Sequence, residues 1–169
     1  TAFGLLIDEK KAYENIERLL RNAAENDIFV RLDMEDHRVT QPTIDIVLAM
    51  HAKGLRNVGT VLQSRLFRTS ADIDSICDQL SGAADFRICK GVYLEHDSIS
   101  HTDYQPIVKA MNEHIDQILD RSAYAAVASH DLPVIKHTLS ALEARGMNPN
   151  KSDPRVGCSE ARNGKGPGY

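Results

Sequence analysis

Four short apolar stretches of the sequence are each followed by side chains that could do chemistry. The stretches and the side chains after them are 28–32 with Asp33, Glu35 and Asp36; 58–62 with Gln63; 86–89 with Lys90, Gly91 and Tyr93; and 124–128 with Ser129, His130 and Asp131. In parallel α/β sheets the loops after the strands line a common crevice, and ligands bind there. The sequence therefore predicts one ligand site built from these side chains.

A metal site is one chemistry that these residue types could support. The acids after the first stretch could bind a cation together with His37, His130 and Asp131. The alternative is that Glu35 and Asp36 are solvated loop residues. No H-x-H or H-E-x-x-H spacing occurs in the sequence, so we predict no metal site.

The third strand brings cations to the expected site. Lys90 suits a Schiff base if the fold buries it. Arg87 precedes it on the same strand, and two cations suit an anionic ligand or a flavin whose reduced form is negative. The alternative is a structural ion pair, with Asp33 as a partner. Ser129 is not a predicted hydrolase nucleophile, because the chain lacks a G-x-S-x-G elbow.

The predicted elements that position these residues alternate between strand and helix. Apolar residues at helical spacing predict helices over about 8–26, 40–53, 69–80, 105–121 and 133–145. The strands start roughly 30 residues apart, which is typical of right-handed parallel βαβ units. Their continuous apolar runs indicate a sheet covered on both faces. The predicted fold class is α/β, either a small open sheet or part of a TIM-like (βα)8 barrel.

The composition narrows the class of protein. The chain has 169 residues, is 42% hydrophobic and 26% charged, and carries a net charge of -4, as globular domains do. No apolar run reaches the ~20 residues that span a bilayer. No basic block suggests a nucleic-acid partner. The start lacks the basic region of a signal peptide, and the three cysteines form no C-x-x-C, so we expect a reducing, cytoplasmic location.

The last part of the sequence differs from the rest. Residues 148–169 are rich in glycine and proline and contain almost no large apolar residue. Such a segment cannot bury enough surface to order itself, so we expect a flexible tail. The predicted domain organisation is therefore an α/β domain over 1–147 followed by this tail.

The strand ends carry motifs that resemble the flavin-dependent proline dehydrogenase family. The matching segments are VRLDMED (30–36), NVGTVLQS (57–64), Arg68 with Thr69, RICKGVYLE (87–95) and ASHD (128–131). Their order and spacing are similar to those of the family, from residue 1 to about Gly146.

The resemblance implies a distorted TIM barrel, of which this chain covers about half. It implies FAD as cofactor and oxidation of L-proline to 1-pyrroline-5-carboxylate, with hydride transfer to the flavin and electrons passed on to a quinone. By the same resemblance Asp33 and Arg87 match catalytic positions. The positions that match flavin contacts are Met34, Gln63, Lys90, Gly91, Val92, Ser129 and His130, with Tyr93 near cofactor and substrate. The implied location is cytoplasmic, with peripheral association at the inner membrane.

Departures from the family pattern shape the remaining expectations. Arg65 stands where the family usually has Tyr, Val92 where it has Ala, and Ser129 where it has Thr. The family's first-strand lysine and its paired arginines are not in the sequence. We therefore expect the chain alone to bind FAD weakly and to turn over slowly or not at all, and its open sheet edges favour a homo-oligomer. The alternative function is that of a non-catalytic α/β remnant that binds a ligand or a partner.

Overall fold

The computed structural model describes residues 3–147 and the backbone of residues 156–158. It divides into two compact units, the first ending at Val61 and the second beginning at Leu62. The elements are α1 (Glu9–Glu25), β1 (Val30–Leu32), a short 3-10 helix (His37–Val39), α2 (Thr40–Ala52), β2 (Val58–Gln63), α3 (Thr69–Leu80), β3 (Asp85–Cys89), α4 (Tyr104–Asp120), β4 (Tyr124–Ala128), α5 (Leu132–Ala144) and β5 (Val156–Cys158). No described helix has both the length and the apolar character needed to cross a membrane.

The first unit places β1 parallel to the start of β2. Val30 pairs with Val58, and Leu32 pairs with Thr60. Helices α1 and α2 bury their apolar faces with these strands, and this core contains Ile16, Leu20, Leu32, Ile46, Val47, Met50, Leu55 and Val58. Asp8 caps α1 by accepting the N–H of Lys11 at 3.0 Å.

The first strand begins two residues later than predicted. Asp27 has a positive φ of 53°, and the N–H of Ile28 donates to the carbonyl of Ala23 at 2.9 Å. This bond closes the end of α1 and holds Ile28 outside the sheet, with 55% of its surface exposed. The apolar pattern predicted that the strand includes Ile28, but the N–H of Ile28 is used to complete the end of α1.

The second unit contains the end of β2 and the parallel strands β3, β4 and β5. Asp85 pairs with Tyr124 and Cys89 with Ala128, so β3 and β4 run in register over their whole lengths. Helix α4 packs on both strands and also contacts α3 and α5. The parallel strands alternating with helices confirm the predicted α/β fold class.

The coverage of the strands differs from the prediction. All six residues of β2 are buried, as expected of a strand covered on both faces. In β3 and β4, burial alternates along each strand. Phe86 and Ile88 are fully buried, whereas Arg87 and Cys89 point to a face that is only partly covered. The apolar composition of β4 is mostly alanine, which made both of its faces look alike in the sequence.

Two further local predictions are corrected. The sequence indicates Thr69 or Ser70 as the cap of α3, but the N-cap is Arg68, and the Thr69 hydroxyl instead donates to the carbonyl of Gln63 at 2.6 Å. β5 lies inside the segment that was predicted to be a flexible tail, and its Val156 pairs with Ala125 of β4. The remainder of 148–169 lies outside the described residues.

Candidate active site

The ends of β3 and β4 bring three predicted site residues together. Because Cys89 pairs with Ala128, the next residues, Lys90 and Ser129, leave the strands at the same level. A cavity of about 490 Å³ opens there, and it is lined by Lys90, Tyr104, Ala128, Ser129, His130 and Asp131. This volume lies within the ~300–1,000 Å³ range of small-molecule sites.

Lys90, Tyr104 and Asp131 form an interlocked group that we call the Lys90 cluster. The ammonium of Lys90 lies 3.0 Å from Oδ2 of Asp131. The hydroxyl of Tyr104 lies 2.8 Å from Oδ1 and 2.6 Å from Oδ2 of the same carboxylate. Nζ of Lys90 also lies 5.3 Å from the centroid of the Tyr104 ring, within cation–π range. The cluster therefore holds one cation at a fixed place in the cavity wall.

The cluster shifts the acidity of its members. The hydrogen bond from Tyr104, and after it the bond from Lys90, lowers the pKa of Asp131 below its usual value. The hydrogen bond to Asp131 raises the pKa of Tyr104. The carboxylate is therefore ionised and the phenol protonated at neutral pH. Since Lys90 is already bound to a carboxylate, the geometry favours a cationic role over a Schiff base.

Ser129 and His130 complete the polar wall of the cavity. Ser129 is buried, and its Oγ accepts the main-chain N–H of Asp131 at 3.1 Å. His130 is exposed. Donors and acceptors of this kind, beside a cation, match the needs of a flavin or of its phosphates. The residues present thus fit the cofactor that the sequence resemblance implies.

The end of β2 brings Gln63 against Gly91. The main-chain N–H of Ser64 donates to the carbonyl of Cys89 at 2.8 Å, and that of Arg65 donates to the carbonyl of Lys90 at 3.1 Å. Gly91 has a φ of +98°, and a Cβ built on it would lie 2.6 Å from Oε1 of Gln63. This position requires glycine both for its backbone and for the close approach of the Gln63 amide.

The two residues after Gly91 lie at the surface. Val92 is 83% exposed, and Tyr93 is also exposed. They belong to the β3 loop, which we define as residues 91–95. Their predicted contact with a flavin remains a prediction, because no described residue covers Val92.

The predicted catalytic residues occupy different surroundings. Asp33 is an exposed residue just after β1 in the first unit, where its Oδ1 accepts the N–H of Met34 at 3.0 Å. Met34 is buried in that unit. Arg87 lies in the middle of β3 in the second unit, opposite Ala126, and is half-buried. Each residue is at or near the carboxyl half of its strand, and their catalytic roles remain predictions.

The acids and histidines of the metal alternative do not form a ligand set in the part of the chain that the structure describes. No group of three or more His, Cys, Asp or Glu side chains there could hold an ion.

The comparison with known families decides the family. The family model described as "Proline dehydrogenase" matches residues 3–117. The chain belongs to the proline dehydrogenase family. The match extends from α1 to most of α4. It includes the ends of β1, β2 and β3, and it stops before β4.

Two relatives show how much of a proline dehydrogenase this chain covers. It is 33% identical over 151 residues to "Proline dehydrogenase 2" of Bacillus subtilis (strain 168), covering 89% of this chain and 48% of the relative. It is 31% identical over 134 residues to "Proline dehydrogenase" of Deinococcus radiodurans, covering 79% of this chain and 42% of the relative. The chain thus spans about half the length of the curated relatives it matches.

Solved structures extend the likeness to the fold. The proline utilization A (PutA) protein from Bdellovibrio bacteriovorus, solved after inactivation by N-propargylglycine, superposes with a TM-score of 0.76 at 18% identity, covering 83% of this chain and 17% of that one. A PutA mutant from Bradyrhizobium japonicum gives a TM-score of 0.72 at 18% identity, covering 84% and 17%. These likenesses confirm the prediction of a partial TIM-like proline dehydrogenase barrel.

Sequence reasoning missed Tyr104 and left Arg65 without a role. Tyr104 was not singled out, whereas Asp131 was predicted at the site, as part of a strand-end motif and as a candidate metal ligand. Arg65 was noted only as a departure from the family. Tyr104 gives no signal in the sequence, because it reaches Asp131 from 27 residues away.

Proposed function

We propose that this chain is the flavin-binding part of a proline dehydrogenase, which oxidises L-proline to 1-pyrroline-5-carboxylate. The observation that carries the proposal is the cavity at the ends of β3 and β4, where Lys90, Ser129 and His130 share one wall. The family motif names these same three positions. When bound, FAD supplies the acceptor for the hydride that leaves the carbon next to the proline nitrogen.

Several residues of the second unit would hold FAD. Gln63 offers a donor and an acceptor on one carboxamide, which suits the polar edge of a flavin. Gly91 lets the main chain approach a planar ring closely. Lys90 places a positive charge beside the cavity, where it would stabilise negative charge on a bound ligand. We assign the same binding role to Met34, Val92, Tyr93, Ser129 and His130.

The catalytic roles fall to Asp33 and Arg87. A carboxylate and a guanidinium can orient a charged amino-acid substrate, because each binds the substrate group of opposite charge. Arg87, as a permanent cation, also offsets negative charge that develops during the reaction. In this proposal the electrons pass on to a quinone. The protein would then be cytoplasmic, with peripheral contact at the inner membrane, and its sheet edges would support self-association.

Titration of FAD into the 169-residue chain tests the proposal. We expect saturable, weak binding with a changed flavin absorbance spectrum, because the cavity offers a cation and polar groups in one wall. Lys90→Met should weaken binding about tenfold, as the loss of a charged hydrogen-bond donor does. Lys136→Met, at an exposed position of α5, is the matched control and should leave binding unchanged.

Proline-dependent reduction of an artificial dye measures the activity itself. We expect slow or no turnover by this chain alone. A chain that binds no FAD at millimolar concentration, yet melts cooperatively and forms a stable oligomer, would instead be the non-catalytic α/β module. Equal loss of binding in Lys90→Met and Lys136→Met would also contradict the assigned cavity.

A further inference from the structure

Arg65 is a buried cation at the end of β2. Only 6% of its surface is exposed, and within the described part of the chain it forms no ion pair. Its Nε is buried and has no hydrogen-bond partner among those residues. A charged side chain in such a place is costly unless its remaining contacts are specific. Those contacts therefore indicate what the residue does.

The Arg65 side chain contacts the β3 loop at two places. Its Nη1 donates to the main-chain carbonyl of Tyr93. A Cβ on Gly91 would lie 3.0 Å from Cδ and 3.1 Å from Cγ of Arg65, so the aliphatic part of the side chain packs directly against the glycine. The main-chain N–H of Arg65 also donates to Lys90 at 3.1 Å. One residue thus binds the chain on both sides of Gly91 and Val92.

The β3 loop buries little apolar surface of its own. Val92 and Leu94 are 83% and 93% exposed, so their side chains contribute almost no packing. Segments with little buried apolar surface open easily unless a hydrogen bond holds them. The bond from Arg65 to the Tyr93 carbonyl is such a restraint.

We propose that Arg65 is a positioning residue that fixes the β3 loop against the end of β2. The consequence for the ligand rests on the proposed function, because Lys90, Gly91, Val92 and Tyr93 carry flavin contacts in that proposal. Arg65 stands where the family usually has Tyr. The guanidinium of Arg65 gives the Tyr93 carbonyl a charged donor, and the aliphatic part of the side chain packs against Gly91.

Amide hydrogen exchange on the chain without cofactor tests the restraint directly. Arg65→Met keeps an unbranched apolar stem and removes every donor. We expect the main-chain N–H groups of residues 64 and 65, which donate to the carbonyls of Cys89 and Lys90, to exchange about tenfold faster, because the loop then detaches more easily from the end of β2. Arg65→Lys keeps a charged donor and should restore at least part of the protection.

Two controls separate this effect from general destabilisation. Arg121→Met removes an arginine at the end of α4 that binds Asp78, and it should leave exchange at residues 64 and 65 unchanged. In Arg65→Met itself, peptides within α4 should exchange at the original rate. Unchanged exchange at residues 64 and 65 in Arg65→Met, or equal acceleration across the second unit, would overturn the proposal.

Flavin binding provides a readout that a purely structural role would not move. In the FAD-bound chain, Arg65→Met should weaken FAD affinity several-fold and alter the flavin absorbance bands, and Arg65→Lys should recover the original spectrum. If the chain binds no FAD, the proposed function fails while the exchange result still decides the role of Arg65. If FAD binds equally well to Arg65→Met and the loop stays protected, Arg65 has no positioning role and the proposed function stands.

Discussion

The ends of β3 and β2 hold cations in opposite ways. Lys90 is half-buried and shares a carboxylate with Tyr104, so its charge is balanced by a neighbouring side chain. Arg65 is buried and binds a main-chain carbonyl, and no carboxylate in the described part of the chain balances its charge. The first arrangement can rearrange when a ligand arrives, because solvent replaces a lost contact. The second cannot, because nothing in the interior replaces it.

This contrast suggests a division of roles between the two strand ends. The Lys90 cluster presents charge to the cavity. Arg65 and the main chain that it contacts, which we call the buried side, set the path of the backbone that carries Gly91. Alterations of the buried side should therefore change stability and its pH dependence, whereas alterations of the Lys90 cluster should change ligand affinity. The following changes test that difference.

The largest expected effect is at Gly91. Gly91→Ala combines strain at a φ of +98° with a Cβ 2.6 Å from Oε1 of Gln63. We expect a loss of about 3 kcal/mol in the free energy of unfolding, measured by urea denaturation. Gly82→Ala is a matched control, because Gly82 has a φ of +86° and nothing within 4 Å of its Cβ position. It should cost about 1 kcal/mol, from backbone strain alone. Equal losses would show that the buried side is not tightly packed.

The next effect concerns His114. It is buried in α4, and its Nδ1 has no partner among the described residues. Burial lowers the pKa of His114 to about 4 from the usual 6.5, and the charges that face it are Glu113 and His101. His101 belongs to the buried side, since its N–H donates to the carbonyl of Arg65 at 2.8 Å.

The pH dependence follows from this shift. The unfolded chain binds the proton at a higher pH than the folded chain, so stability falls as the pH decreases from 6.5 toward 4. The loss from this group should be about 2–3 kcal/mol. Urea denaturation at a series of pH values should show a flatter profile for His114→Leu over that range. His96→Gln, at an exposed position, should keep the original slope. A His114→Leu profile as steep as the original would assign the acid sensitivity to other groups.

The smallest effect is expected in the Lys90 cluster. The pKa of Asp131 is lowered by Tyr104 and Lys90, so the stabilisation is present above the usual aspartate pKa of 3.8 and is lost as the pH falls through the lower folded value. The cluster therefore stays intact between pH 6.5 and 4, where the buried side weakens. Asp131→Asn should reduce FAD affinity about three- to fivefold at neutral pH, as expected for a solvent-screened ion pair.

Tyr104→Phe serves as the companion variant for the cluster. It keeps the ion pair between Lys90 and Asp131 and removes only the phenol hydrogen bond. Its effect on FAD affinity should be smaller than that of Asp131→Asn. If the two variants weaken FAD equally, the tyrosine, and not the ion pair, determines how the cavity presents its charge.

Local sequence patterns predicted the elements but not the contacts between them. Strand β4 lies at the predicted residues 124–128, because its apolar run, the preceding helix and the following Pro133 all agree. β1 was predicted two residues too long, because the pattern at Ile28 is apolar while its N–H completes the end of α1. Such capping bonds depend on a single backbone angle, which hydrophobic patterning does not encode.

The site was predicted where it follows strand ends and missed where it depends on distant pairs. Lys90, Ser129 and His130 could be placed because each lies directly after a strand. Tyr104 could not, since its position over Asp131 depends on how the long β3–α4 connection folds. His114 could have been found, because it lies three residues after Met111 and one before Ile115 on the buried face of α4.

The hydroxyl of Thr69 has a consequence for how the end of β2 recognises a ligand. It donates to the Gln63 carbonyl, and the N–H of Leu66 donates to the same oxygen at 3.1 Å. A shift of the Gln63 main chain would therefore break both hydrogen bonds near the start of α3. If a ligand binds at Gln63, as we propose, it therefore meets a main chain that hydrogen bonds from the following helix hold in place.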